Sequence, residues 1–328
     1  MRRSLVTGGI LLAFLALFAS CTDDDDRERT KRPERPAVSA AAPVPEARTE
    51  VGAGRLGNDI LVLGGLRADG TATDRVDRFD LADGTWSDGV ALPSPLHHAG
   101  VASFGDRLWV AGGYTPAGDN GWIESARVWS LGDGEGAWRS EPDLRTARGA
   151  LGLAAAGARL VALGGTSAGQ VLSSVEVMVA GEDAWRPAPP MRQAREHTAA
   201  AAVGGRVYAI GGRVGGLETN LTSVESLQPG AFAPEWTKEP DLGTPRGGIA
   251  AAVSGGRVCV AGGEAPTGTI ATVECLDGRS WIEAATLLEA RHGLGVVAGL
   301  DGALHVLAGG PEPGLFVSTA HEVLTLDR

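Results

Sequence analysis

Ile60-Leu-Val-Leu-Gly-Gly65 is the first of six apolar runs that end in a glycine pair; the others are LWVAGG, LVALGG, VYAIGG, VCVAGG and HVLAGG. The pairs begin at 64, 112, 164, 211, 262 and 309, with spacings of 48, 52, 47, 51 and 47 residues. Each run is short and ends in residues that accept positive φ, so each reads as a buried strand stopped by a turn. A second short strand follows each pair: RVDRFDL, ARVWSL, SVEVMV, SVESLQ, TVECLD and AHEVLTL. In five of the six units a tryptophan comes next, at Trp86, Trp138, Trp185, Trp236 and Trp281. A period near 50 means units that cannot bury their apolar faces alone and must stack on one another. Four short strands per unit, separated by Gly, Asp and Pro turns, fit one blade of a β-propeller.

Composition agrees. The chain has 328 residues, of which 49 are glycine, about twice the usual share, and half of its few aromatics are tryptophan. Glycine weakens helix interiors by roughly 1 kcal/mol relative to alanine, so this profile excludes a helical protein. A formal charge of −11 with only two lysines excludes a basic face for nucleic acid.

The glycine pair, the acid-bearing strand and the tryptophan together resemble the kelch repeat over roughly residues 37–328. The resemblance implies an all-β, six-bladed propeller with four antiparallel strands per blade and innermost strands starting near 48, 97, 148, 195, 246 and 291. The sixth unit ends after its third strand. Aligning AVSAAAPVPEAR with AWRPAPPMRQAR puts Val38 under Trp185, so residues 37–41 are predicted to supply the outer strand that closes the last blade.

Ahead of the repeats, residues 1–20 hold two arginines, an apolar run from Ile10 to Phe18 and then small residues, the layout of a secretory signal. Phe18-Ala-Ser-Cys21 resembles a bacterial lipobox, which implies lipidation of Cys21 and an exported protein anchored at the cell envelope, at the outer membrane or cell surface. Residues 21–36 are charged and proline-containing and read as a solvated tether.

Arg48, Arg148, Arg195 and Arg246 each stand sixteen residues before a glycine pair, and Arg291 joins them if the Gly299–Gly302 turn is two residues longer. Leu96 breaks the series, followed by His97 and His98. In substrate-recruiting kelch domains, arginines at this position help bind acidic motifs, which implies a ligand-binding face. The competing reading is structural: five units carry an acid in the third strand (Asp77, Glu176, Glu225, Glu274, Glu322), and the unit without the arginine has Arg127 instead. Coincident loss in one blade suggests buried pairs, in which case the Arg148 and Glu176 side chains should meet.

That second unit also holds Trp109, Trp122, Trp129 and Tyr114. Trp109 aligns with Tyr208 and Cys259, and Trp129 with Met178 and Phe79, which makes both core residues. Trp122 lies in the longest loop between second and third strands, either stacking on a ligand beside His97 and His98 or folded over its own loop. Cys259 and Cys275 fall on neighbouring strands and suit a disulfide in an exported protein. His98 and His197 both stand fourteen residues before a glycine pair but belong to blades two apart, which argues against a shared metal; no metal or other cofactor motif is spelled out.

Tyr114 and Tyr208 are the only tyrosines, too few in the right places for the copper site of galactose-oxidase-like propellers. The reading that results is a binding or scaffolding module for a protein or glycan ligand. The alternative is a carbohydrate-active enzyme resembling the six-bladed periplasmic sialic-acid epimerases.

Overall fold

A computed structural model describes residues 37–118 and 121–326. The signal-sequence, Cys21 and tether expectations lie outside them. Six four-stranded antiparallel sheets form the blades, each running outward from an innermost strand. Blade 1 is Gly52–Leu56, Asp59–Leu63, Val76–Asp80 and Trp86–Asp88; blade 3 is Gly152–Ala156, Arg159–Leu163, Val175–Val179 and Arg186–Ala188. In the last blade Ala37–Ala40 pairs with His321–Thr325, Val38 facing Leu324, so the N-terminal strand is the outer strand there.

The glycine pairs join neighbouring blades. Gly64 and Gly65 have φ of 57° and 97°, and a Cβ on Gly64 would lie 2.3 Å from the Leu96 carbonyl of the next blade. The Gly65 N–H donates to that same carbonyl, and Gly309 does likewise to Arg48, which closes the ring. In blade 6 the pair is Ala308-Gly309, not Gly309-Gly310: Ala308 takes the first left-handed position, with φ of 55°. The extra turn length before it is therefore one residue rather than two.

Each indole bridges to the preceding blade. Trp138, Trp185, Trp236 and Trp281 donate Nε1–H to the carbonyls of Val90, Pro142, Pro189 and Pro240, and Trp86 donates to Ala42 beside the closing strand. Blade 6 has Val38 at that place, and it packs into the apolar cluster between blades 5 and 6. The same cluster contains Cys259 and Cys275, which are joined by a disulfide.

Opposite this junction, His321 is buried edge-on to Phe79, with ring centroids 4.7 Å apart. Its Nδ1–H donates to the Ala42 carbonyl, and Nε2 lies 2.9 Å from His305 Nδ1. Burial pushes the His321 pKa down to about 4. The unfolded chain then binds the proton more readily, so this contribution to stability is complete above about pH 6.5 and declines as pH falls toward 4. The melting midpoint should drop across that interval, and His321→Asn should flatten the drop; an equal slope in the variant would refute the assignment.

Candidate functional site

The arginine series is structural, and the expectation that Arg48, Arg148, Arg195, Arg246 and Arg291 line a ligand face is corrected. All five are fully buried. Arg148 Nη1 donates to the Gly164 and Ser174 carbonyls at 3.0 Å, and Nη2 donates to Glu176 at 2.7 Å. Arg195 pairs with Glu225, Arg246 with Glu274, Arg291 with Glu322 and Arg48 with Asp77. Burial lowers the Arg148 pKa while Glu176 opposes the shift.

The acids also cap a turn. Glu176 accepts the backbone N–H groups of Arg145 and Thr146, and Glu225 those of Arg192 and Gln193. In blade 1 the equivalent of Arg145 is Pro45, which has no N–H; the acid there is the shorter Asp77, bonded by Arg75 instead. Blade 2 has Pro93 at that turn position, and both partners are apolar. Strand register places Trp129, not Arg127, in the acid's slot, since Trp129 faces Val110 as Glu176 faces Ala162. Leu96 and Trp129 share one apolar cluster, whereas Arg127 is exposed and paired with Asp143. Leu131, opposite Leu108, is the residue that aligns with Met178 and Phe79.

The innermost strands start at Gly52, Gly100, Gly152, Ala199, Ala250 and Gly295, about four residues after the predicted starts, because the intervening residues form a left-handed turn at the channel mouth. Glu50, His98, Ala150, His197, Gly248 and Gly293 all have φ between 49° and 66°. Their backbones link blade to blade: His98 N–H donates to Glu50, Ala150 to His98, His197 to Ala150, Gly248 to His197 and Gly293 to Gly248. A left-handed residue with a Cβ costs about 1–2 kcal/mol, and such strain collects at functional sites. Beneath this ring the six inner strands surround an open cavity of about 110 Å³ lined by glycine, alanine and valine together with Leu151, Leu153, Ile249, Leu294 and Thr198.

The titratable groups converge here. His98 Nε2 lies 3.1 Å from Glu50 Oε2 and 3.0 Å from His197 Nε2. Blade separation was therefore a poor guide: blades 2 and 4 are not adjacent, but their turns both point into the narrow channel. The His197 Nδ1–H donates to Glu196, and His98 Nδ1 is 2.5 Å from His97 Nδ1. Arg213 bridges Glu196 and Glu264. His292 Nδ1 stands 3.2 Å from Glu50 and 3.6 Å from Glu264.

Burial drives the His98 pKa well below its ordinary value and the His97 pKa down to about 4. Burial works to raise Glu50, but His98, His292 and His197 outweigh it and hold the carboxylate well below its ordinary range. Burial also works to lower His292, yet Glu50 and Glu264 hold it above 6.5.

Trp122 lies over this mouth on the hairpin Tyr114–Ala117/Gly121–Glu124, its ring 4.4 Å from His97. It is 41% exposed and its neighbour Ile123 53%. Tyr114 is turned inward, bonded to Thr166 and packed over Gly149. Sequence reasoning found His97, His98, Trp122 and His197 but missed Glu50, Glu196, Arg213, Glu264 and His292. A signal was present: the two residues after each arginine position (TE, HH, GA, EH, GG, HG) and the residue after each glycine pair hold all of these groups.

A family model described as the Kelch motif matches residues 47–93, 147–192 and 194–243. Kelch-like protein 34 of Homo sapiens is 35% identical over 133 residues, covering 38% of this chain and 20% of that protein; the match spans about one fifth of the relative's length. The solved structure of YjhT superposes with a TM-score of 0.76 at 13% identity, covering 88% of this chain and all of that one, which is a likeness of fold.

Proposed function

The chain is a six-bladed kelch-repeat β-propeller, and on that footing we propose that it is an exported, lipid-anchored binding module whose ligand, a protein or a glycan, docks at the channel mouth. The observation that carries this is the exposed Trp122-Ile123 hairpin standing beside a buried cluster of histidines and carboxylates. An exposed indole next to oriented polar groups supplies both contact area and hydrogen-bonding specificity. Export and anchoring rest on the lipobox-like Phe18-Ala-Ser-Cys21; metabolic labelling with a palmitate analogue should mark the wild type and not Cys21→Ser.

Trp122→Ala should weaken ligand capture on glycan arrays and in envelope pull-downs by at least tenfold, the scale of a hot-spot residue, with the melting midpoint unchanged. An unchanged ligand profile would overturn the docking site. Variants of Arg148 or Arg195 do not test it, because both side chains are buried among structural partners.

A second reading, an enzyme of the sialic-acid epimerase type, draws on the Glu196–His197 pair, a carboxylate orienting an imidazole as in general-base catalysis. Arg213, the nearby cation, is already matched by Glu196 and Glu264. Exchange of the sialic-acid ring-proton signals between anomers, followed by NMR, decides this reading, and no acceleration over buffer dismisses it.

A further inference from the structure

Three ligand atoms from three blades meet at one point of the channel mouth: Glu50 carboxylate oxygen, His98 Nε2 and His197 Nε2, all within 4.8 Å of one another. Their hydrogen-bonding roles do not balance. A carboxylate only accepts, so Glu196 takes the proton on His197 Nδ1, and a neutral His197 then presents a lone pair at Nε2. Glu50 is likewise an acceptor. His98 Nε2, which faces both at 3.1 and 3.0 Å, has at most one proton and cannot satisfy the two. A cation at the centre satisfies all three.

We propose that Glu50, His98 and His197 form a binding site for one divalent transition-metal ion of the zinc class. Two imidazoles and one carboxylate with further positions open is a donor set that zinc accepts. At metal–ligand distances of about 2.0–2.2 Å, tetrahedral ligand atoms stand about 3.3 Å apart, so the two closest contacts need to open by only a few tenths of an ångström. The supporting groups are those that metal sites require. Glu196 holds His197 in its tautomer, His97 abuts the other nitrogen of His98, and His292 faces the second oxygen of Glu50. Gly293 makes room for the carboxylate, since a Cβ there would lie 2.6 Å from Glu50 Oε1. Ala150, Gly248 and Gly293, at the same ring position in the other three blades, carry no side chain that could occupy the remaining coordination positions.

The site stands independently of the ligand reading above, and the test is separate. Untagged, chelator-stripped protein is dialysed against Zn²⁺, and a parallel sample is titrated with Co²⁺ and followed by its visible absorption. Wild type should take up about one ion per chain, and Zn²⁺ should raise its melting midpoint. Glu50→Gln and His98→Asn should lose the ion; asparagine tolerates the left-handed backbone at His98, so an unchanged midpoint in chelator shows that the variant is folded. Glu196→Gln should bind about 10–100-fold more weakly, as expected for a group that orients a ligand. Wild type that retains no Zn²⁺ at micromolar free ion would overturn the proposal. So would folded Glu50→Gln and His98→Asn variants that bind as tightly as wild type.

Discussion

Trp185→Ala is expected to destabilise the propeller by about 3–5 kcal/mol, the range for truncating a buried aromatic. The indole is 2% exposed and packs in one cluster with Trp109, Val128 and Met178. Its Nε1–H donates at 2.9 Å to the Pro142 carbonyl at the end of blade 2. Truncation opens a cavity between two blades and leaves that carbonyl without its donor. Because the closed ring holds both blades against their other neighbours, the surrounding strands have little freedom to collapse into the void. For a domain of this size the melting midpoint should fall by on the order of 10 °C, while Trp138→Ala, at a more exposed copy of the position, should cost less. Equal losses at Trp185 and Trp138, measured by thermal denaturation, would contradict the account.

Arg148→Leu should be as damaging, at about 3–5 kcal/mol, because it strands Glu176 as an unpaired carboxylate in a buried site. It also removes the donor to the Gly164 and Ser174 carbonyls. Blade 2 shows how the chain tolerates the same loss: Leu96 replaces the arginine, Trp129 replaces the acid, and Pro93 replaces the residue whose N–H the acid would accept. Transplanting that solution, Arg148→Leu with Glu176→Trp and Arg145→Pro, should therefore recover at least about half of the loss, since an apolar substitute for a buried ion pair is often neutral. A triple variant less stable than Arg148→Leu alone would show that the pairs do more than satisfy one another.

The two results divide the candidate residues by role. The arginines and tryptophans recur because every blade must be fastened to its neighbours, and a repeat imposes the same requirement six times. Glu50, His98, Glu196 and His197 do not follow the sixfold repeat. The left-handed position carries Glu50, His98 and His197 in blades 1, 2 and 4 but alanine or glycine in the other three, at a cost in backbone strain; the position before it carries Glu196 in blade 4 and histidine in blades 2 and 6 but threonine or glycine elsewhere. Nothing in fastening blades together demands a histidine there, which is why function is assigned to the mouth of the channel and not to the arginine ring.

Blade count, strand count, ring closure by residues 37–40 and the Arg–acid pairing were legible in the sequence, because periodic spacing repeats the same local physics until chance is excluded. Where a unit departs from the period, sequence register failed by one or two residues. Ala308 stands in for a glycine, and Trp129 rather than Arg127 takes the acid's slot; only the hydrogen-bonded ladder fixes which residue faces which.

The sequence by itself determined a kelch-type six-bladed propeller and the residues that hold it together. Only the tertiary structure decided what meets at the axis. Propeller closure brings six turns, separated by about fifty residues each, to within hydrogen-bonding distance around a narrow channel, so side chains from blades 1, 2 and 4 touch there although no sequence spacing pairs them.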